Sequence, residues 1–353
     1  MRIGTRGSML ALVQARMVLG WLGEGEIVVV RTSGDMHAAN GHAKTNGGGA
    51  KPGGGDKSRW VAELEQALVE GGVDLAVHCA KDVPGELTDG LELLGAPARA
   101  AVEDALIGVG SLEELPEGGY VGTSSVRRAA QLRAVRGDLH VVSLRGNVDT
   151  RLRKLADRTG AGGGGEQQTS ETPRARARRP IGEETDRSAE SGERTAQGEP
   201  PLDAIVLACA GLARLGRERD VGCVLPAARF VPAPGQGLLA LQARVGDGAV
   251  RAAVEPILDR DASTCLTAER AVARALGASC NTPLGAHATA TGGDSLHLRA
   301  WVGLPDGSEW IADELIGGFE HPEELGRRVA RRLEAVGARD LLKRAEEAAV
   351  ERP

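Results

Sequence analysis

Apolar positions in the first half of the chain alternate between two periods. Short runs of aliphatic and β-branched residues fall near Ile3, over 27–31 and over 75–78, and apolar residues recur at helical spacing over 8–22 and 58–68. Strand-length runs separated by helix-length periodic segments predict α/β layering. The alternation restarts at Asp104-Ala105-Leu106-Ile107. It continues through a strand at Val121, a helix over 125–132, a strand over 140–144, a helix over 147–155 and a strand over 203–208. Two similar α/β units predict a cleft between them. Beyond Leu258 the pattern changes to a helix over 262–276, strands over 296–302 and 309–315 and two terminal helices, which predicts a smaller α+β unit.

Two stretches break the pattern. Residues 158–200 shift to Gly, Glu, Thr, Ser and Arg with almost no large apolar side chain, so they are expected to form a disordered surface insertion. The run Arg174-Ala175-Arg176-Ala177-Arg178-Arg179 inside it could touch nucleic acid, but a solvated linker fits its composition better. The Gly-rich run 47–55 reads as a flexible loop. It lacks the Gly-Lys-Ser/Thr ending of a phosphate-binding P-loop, because Asp56-Lys57-Ser58 follows Gly55.

Composition narrows the possibilities further. Apolar residues at 41% and charged residues at 26% are those of an ordinary globular protein, and 353 residues suffice for two or three cores. Aromatics are only 2%, so the cores are built from Val, Leu, Ile and Ala and a base-stacking surface is not expected. With a net charge of −6, any attraction for an anion has to be local to a cleft. No apolar run is long enough to span a bilayer, and the first residues run into a strand without a secretory core, so a cytoplasmic protein that binds neither membrane nor nucleic acid is expected. The five cysteines are widely spaced, with no Cys-x-x-Cys pair and no His at zinc spacing, so neither a disulfide framework nor a metal site is expected. Cys79 and Cys209 lie in apolar strand-like runs, whereas Cys280 lies in an exposed-looking loop, Gly277-Ala278-Ser279-Cys280-Asn281-Thr282-Pro283-Leu284-Gly285.

The segment Val121-Gly122-Thr123-Ser124-Ser125-Val126-Arg127-Arg128 carries the most chemistry. A strand end, hydroxyl donors and two guanidiniums meet at the start of a helix, whose free N–H groups and dipole favour an anion. Each Arg can grip a carboxylate with two parallel bonds. The plainer reading makes Ser124 an N-cap and leaves the arginines solvated. Against it stand further basic residues at likely element ends: Thr5-Arg6-Gly7-Ser8, Lys81-Asp82, Leu144-Arg145-Gly146-Asn147 and Thr150-Arg151. Ser8 is a plausible N-cap, which puts Arg6 at the mouth between strand and helix, where ligands of open sheets sit.

An ordered set of motifs resembles the porphobilinogen deaminase (hydroxymethylbilane synthase) family, with an archaeal-type member considered because of the charged insertion. The motifs are Ile3-Gly4-Thr5-Arg6-Gly7-Ser8, Val61-Ala62-Glu63-Leu64-Glu65 and Val77-His78-Cys79-Ala80-Lys81-Asp82-Val83-Pro84, then the Thr123–Arg128 segment and Ser143-Leu144-Arg145-Gly146-Asn147-Val148. Thr150-Arg151-Leu152, Pro234-Gly235-Gln236-Gly237 and Cys280 with Pro283-Leu284-Gly285 complete the set. The resemblance implies two periplasmic-binding-protein-like α/β domains with mixed sheets flanking a cleft, plus a small α+β C-terminal domain. Their expected bounds are 1–97 with 238–257, 98–237 and 258–353.

It also implies a transferase that joins four porphobilinogen molecules head to tail with release of ammonia, on a dipyrromethane cofactor held by a thioether to Cys280. Asp82 is the implied catalytic acid, assisted by Lys81. Lys81, Thr123, Ser124, Ser125, Arg127, Arg128 and Arg145 are the implied cofactor-binding residues. Arg6, Ser8, Lys57, Arg145, Arg151 and Gln236 are those for substrate. No metal is implied, and a monomer is expected. The chain departs from the family at Asp56-Lys57-Ser58-Arg59-Trp60, where Gly-Lys-Gly followed by Phe is usual, at Ala62 and at Ala278-Ser279 before Cys280. The competing readings are a catalytically degenerate relative, a solute-binding protein for small polycarboxylates and a nucleic-acid binder acting through Arg174–Arg179.

Overall fold

A computed structural model describes residues 1–30, 56–159, 200–279 and 281–350, with the backbone alone for 56–60 and 349–350. The expected 158–200 insertion and the Gly-rich 47–55 loop therefore fall largely outside the described residues. The first sheet holds β1 (Arg2–Arg6), β2 (Glu26–Val30), β3 (Leu75–Cys79), β4 (Leu91–Gly95) and β10 (Leu239–Arg244) in the order β2-β1-β3-β10-β4. The second holds β5 (Asp104–Ile107), β6 (Tyr120–Gly122), β7 (His140–Val142), β8 (Ala204–Ala208) and β9 (Cys223–Leu225) in the order β7-β6-β8-β5-β9.

The two sheets are built alike. In each, three neighbouring strands run parallel, and a strand arriving from the other unit inserts antiparallel in the fourth place: β10 in the first sheet and β5 in the second. The chain thus crosses between the sheets twice, over 96–103 and 226–238. The third sheet is an antiparallel meander of β11 (Leu284–Gly292), β12 (Ser295–Gly303) and β13 (Trp310–Gly318).

Helices cover both faces of the first sheet. α1 (Met9–Leu22) buries Ala15 and Val18 against Ile3, Leu75 and Val77, while α2 (Asp56–Val69) buries Leu64 and Leu68 against Ala76 and Val73. Successive strand residues serve opposite cores, as a period of two requires. α3 (Val126–Val135), α4 (Val148–Arg158) and α5 (Cys209–Arg214) belong to the second unit, and α6 (Gly248–Val254) returns to the first core through Val250 and Val254. α7 (Arg260–Ala275), α8 (Pro322–Ala335) and α9 (Ala338–Val350) bury Ala268, Val329 and Leu341 with β11 and β12 in one further core. No helix among the described residues is long and apolar enough to cross a membrane.

The fold class is the expected one, two α/β units with mixed sheets and a small α+β unit, and every expected helix is present to within a few residues. The differences are local. β4, β9, β10 and β11 lack a strand pattern in the sequence: β10 is buried along nearly its whole length, so it has no alternation, and β11 is dominated by Ala, Gly and Thr. β7 stops at Val142, whose carbonyl accepts from Thr123 N, and the chain then turns toward α4.

Candidate active site

The motif residues gather where strands of the two sheets end. Arg6 closes β1, and Ser8 caps α1, its Oγ accepting from Ala11 N at 3.4 Å. β3 leads into a single 3₁₀ turn, Ala80–Asp82, that carries Lys81 and Asp82. β6 leads into Thr123, Ser124 and Ser125, with α3 following. β7 leads through Arg145 to Asn147, which caps α4 by accepting from Thr150 N at 2.8 Å. These are carboxyl ends of parallel strands, the edge of an open sheet at which ligands bind.

The hydroxyls divide their work differently from the plain N-cap reading. Ser125, not Ser124, caps α3, its Oγ accepting from Arg128 N at 3.4 Å. Ser124 is exposed and donates to Leu144 O at 2.6 Å, which ties the β6 turn to the β7 turn. Thr123 is buried, and its Oγ1 accepts from Ser125 N at 3.2 Å.

Arg127 and Arg128, expected to grip ligand carboxylates, both grip a carboxylate of the chain itself. Asp104 Oδ2 accepts from Arg127 Nη2 at 2.7 Å, and Oδ1 accepts from Arg128 Nε at 3.0 Å and Nη2 at 2.7 Å. All three residues are buried. Arg127 also donates to Val231 O and Gln131 Oε1, and Arg128 to Val206 O. The physical reason is the antiparallel strand β5: its first residue, Asp104, pairs with Ala208 and so arrives beneath the first turn of α3. Burial alone would raise the Asp104 carboxyl, but the two guanidiniums outweigh it and hold the group well below the usual carboxylate range. One signal for this was present in the sequence: an Asp opening an apolar strand has to be paired if it is buried.

Gln236, expected on substrate, is instead fully enclosed. Its Nε2 donates to Asp104 Oδ1 at 2.8 Å and to Val102 O at 2.7 Å, and its Oε1 accepts from Lys81 Nζ at 3.3 Å. Lys81 on the first unit is thereby joined through Gln236 to the arginine cluster on the second. Gly235 makes this possible. Its φ is +75°, and a Cβ there would lie 2.9 Å from Ala80 C and 3.0 Å from Lys81 N, so the second crossover lies directly against the Lys81 turn.

Arg151 lies at the same place. It donates from Nε to Gly146 O at 2.8 Å, and its ionisation is pushed down to about 10, chiefly by burial and then by Arg128, with Asp82 opposing. A guanidinium on α4 therefore senses both Arg128 and the carboxylate on the β3 turn. Arg145 is exposed on the loop between β7 and α4. Lys57 and Cys280 lie outside what is described, the first as a side chain and the second as a residue; Ser279 and Asn281, which flank Cys280, lie in the loop between α7 and β11.

Two features escaped the sequence reading. Arg214 on α5 donates from Nη2 to Gly237 O at 2.7 Å, and burial lowers its ionisation while Cys79 opposes, so it reaches the end of β3 from the other unit. A buried Glu269 on α7 receives four hydrogen bonds: Arg99 Nη1 at 2.6 Å and Ala288 N at 2.7 Å on one oxygen, Arg99 Nη2 at 3.1 Å and Gly235 N at 2.6 Å on the other. Both crossovers and the third sheet meet at this one carboxylate. Nothing in the local sequence around Arg99 or Glu269 marks them as a pair 170 positions apart.

Fold and site together define a class, a two-unit α/β protein with basic residues gathered at the strand ends of both sheets and a third unit fastened to its crossovers. A profile of the porphobilinogen deaminase dipyromethane cofactor binding domain matches residues 1–162 and 190–252, and one of the porphobilinogen deaminase C-terminal domain matches 263–335. The porphobilinogen deaminase of Syntrophus aciditrophicus is 36% identical, covering 98% of this chain and 99% of that one. Those of Syntrophobacter fumaroxidans and Deinococcus deserti are each 37% identical and cover 97% and 98% of this chain, and 96% and 98% of their own. The chain belongs to the porphobilinogen deaminase family. These relatives are bacterial and lend no support to an archaeal-type member. Among solved structures, a YaeC-family lipoprotein from Enterococcus faecalis is 11% identical with a TM-score of 0.34 over 73% of this chain and 90% of that one, too distant to bear on its chemistry.

Proposed function

We propose that the chain is a working porphobilinogen deaminase, which condenses four porphobilinogen molecules into hydroxymethylbilane and releases ammonia at each addition. The observation that carries this reading is the chain of contacts Lys81–Gln236–Asp104–Arg127/Arg128, with Arg151 coupled to both Arg128 and Asp82, at the carboxyl ends of strands from both sheets. A substrate bearing an acetate and a propionate on each ring suits it. Burial and Arg128 both disfavour the charge on Arg151, and a bound carboxylate relieves that cost.

Asp82 stands on a 3₁₀ turn with Lys81 beside it. A fixed carboxylate stabilises the cation left on the substrate when ammonia departs, and it can take the proton that the attacking ring has to lose. Arg151, Arg6, Ser8 and the exposed Arg145 are the groups of this cleft that receive substrate carboxylates, while Arg128 and Arg127 set the floor through Asp104. Lys57 is assigned to the substrate side as well.

The family's dipyrromethane supplies the fixed pyrrole end onto which units are added. Ser124, Ser125 and Lys81, with the neighbouring arginines, would hold its carboxylates. Its attachment is assigned to Cys280 on the family motif that ends in Pro283-Leu284-Gly285, and burial, which pushes the thiols of Cys79, Cys209 and Cys265 up, the last two to about 11, makes those three poor thiolates. The three domains are taken as 1–97 with 238–257, 98–237 and 258–353, and the protein as a cytoplasmic monomer. Incubation of the purified protein with porphobilinogen tests the reading. Ammonia release and a linear tetrapyrrole are expected, with Asp82→Asn lowering turnover at least a hundredfold, roughly the loss of one transition-state charge interaction, while the circular dichroism spectrum stays unchanged. A folded wild type that releases no ammonia, or an Asp82→Asn variant with full turnover, overturns it.

A further inference from the structure

A chain of buried polar groups runs behind the Lys81–Asp82 turn and takes no part in the site described above. Thr88 Oγ1 donates to Glu65 Oε2 at 2.6 Å, Gln242 Nε2 donates to Glu65 Oε1 at 2.7 Å, and Gln242 Oε1 lies 2.9 Å from His78 Nε2. Glu65 is on α2, Gln242 on β10 and His78 on β3, and their exposures are 4%, 0% and 5%. Glu65 and His78 stand on elements that already pack against each other, and this chain of side-chain bonds adds a polar link between them through Gln242 on β10.

The direction of each bond follows from its partner. A carboxylate accepting on both oxygens requires the amide of Gln242 to present its NH₂ group, which turns Oε1 toward the imidazole. An amide oxygen only accepts, so His78 has to donate from Nε2. Burial pushes the imidazole down to about 4, against the opposing pull of Gln242, Glu65 and Asp82, so it is neutral and its other nitrogen is unprotonated. Glu65 thus dictates the tautomer of a residue that it does not touch.

We infer that Glu65, Gln242 and His78 form a positioning chain that locks His78 in one neutral tautomer and ties helix α2 to the strand presenting Lys81 and Asp82. His78 is four residues before Asp82, and it is close enough for the Asp82 charge to affect its ionisation. A cationic imidazole there would draw on the carboxylate that has to stabilise positive charge on the substrate. A neutral one, held by an amide, transmits position without charge. The inference rests on the role given to Asp82 above, and its test separates the two.

The test uses full-length protein with ¹⁵N-labelled histidine, and long-range ¹H–¹⁵N spectra that distinguish the two neutral tautomers and the cation. The wild type at pH 7 is expected to show His78 as the Nε2–H tautomer alone. Glu65→Gln lets the Gln242 amide turn over, and Gln242→Met breaks the chain in the middle with a side chain of similar length. Each is expected to redistribute the tautomer and to lower kcat for porphobilinogen roughly ten- to hundredfold, the cost of a small misplacement of a reacting group, with KM little changed. The double variant should be no worse than the poorer single one. A merely structural role would lower the yield of folded protein without moving the imidazole signals of what folds.

An Nδ1–H or cationic His78 in the wild type, variants that move the tautomer and leave kcat alone, or losses that simply add, each overturn the inference. A wild type that shows the expected imidazole but no turnover sinks the deaminase reading instead, and the tautomer responses of the two variants then decide the chain.

Discussion

The arginines of α3 owe their arrangement to Asp104, a residue no motif advertises. Arg127 and Arg128 stand side by side in a buried first turn, where two like charges repel unless an anion lies between them. Asp104→Asn keeps the shape and removes the charge. It should destabilise the protein by about 3–5 kcal/mol, the usual cost of breaking a buried ion pair, read as a lower midpoint of urea unfolding. The pH dependence has a definite sign. The folded carboxyl lies below its ordinary value, so its contribution is full above about pH 4 and is lost as pH falls toward the depressed folded value. His78 acts in a different window. It is held neutral down to about 4 against an ordinary 6.5, so its contribution is full above 6.5 and is lost as pH falls through 6.5 to 4. That loss is on the order of 3 kcal/mol, and His78→Asn should flatten the stability curve between those two pH values. At this scale the basic half of the site was legible, because Arg and Lys recur beside turn residues. Of the acidic residues only Asp82 was marked, by its motif; Asp104 and Glu269 were not, because they gain their meaning only from strands and crossovers that bring distant segments together.

Elements follow local rules where those rules are strong. α1, α4 and α7 begin after Ser8, Asn147 and Asp259, each accepting from the N–H three residues on, and their apolar periodicity makes them readable. β10 is not readable this way, since it is buried among neighbours on both sides, and β11 has too little apolar contrast. The Pro234-Gly235-Gln236-Gly237 turn shows what a motif can hide. Its glycines at 235 and 237 have φ of +75° and +86°, and a Cβ at 237 would come 2.5 Å from Ala100 O, so the two crossovers touch backbone to backbone. Gly235→Ala adds strain and pushes on Ala80. A loss of about 1–3 kcal/mol is expected, visible in thermal melting, together with lower turnover because the Lys81 turn is displaced.

Across the whole molecule, the two crossovers and the third unit are fastened at Glu269. Its side chain is buried, so the four donors that converge on it have no other acceptor of comparable strength. Glu269→Leu should leave the three cores folded but loosen their docking. Hydrogen exchange at the Gly235 and Ala288 amides should rise well before exchange in the β-sheets, whereas equal protection in both proteins would show that the junction is not held there. The layered architecture was legible from alternating periods, and the third unit from the change after Leu258. What no period reveals is that an antiparallel strand from each half completes the sheet of the other, which is why the chain crosses between the two units twice.

This cleft is proposed to work on a polypyrrole anchored to one cysteine of the third unit. The most direct measurement is the intact mass of the protein made in a host that supplies porphobilinogen, followed by peptide mapping. An added mass of one dipyrromethane is expected, located on Cys280 and absent from Cys280→Ser. A folded, unmodified wild type, or an adduct carried by Cys79, Cys209, Cys223 or Cys265, would contradict it.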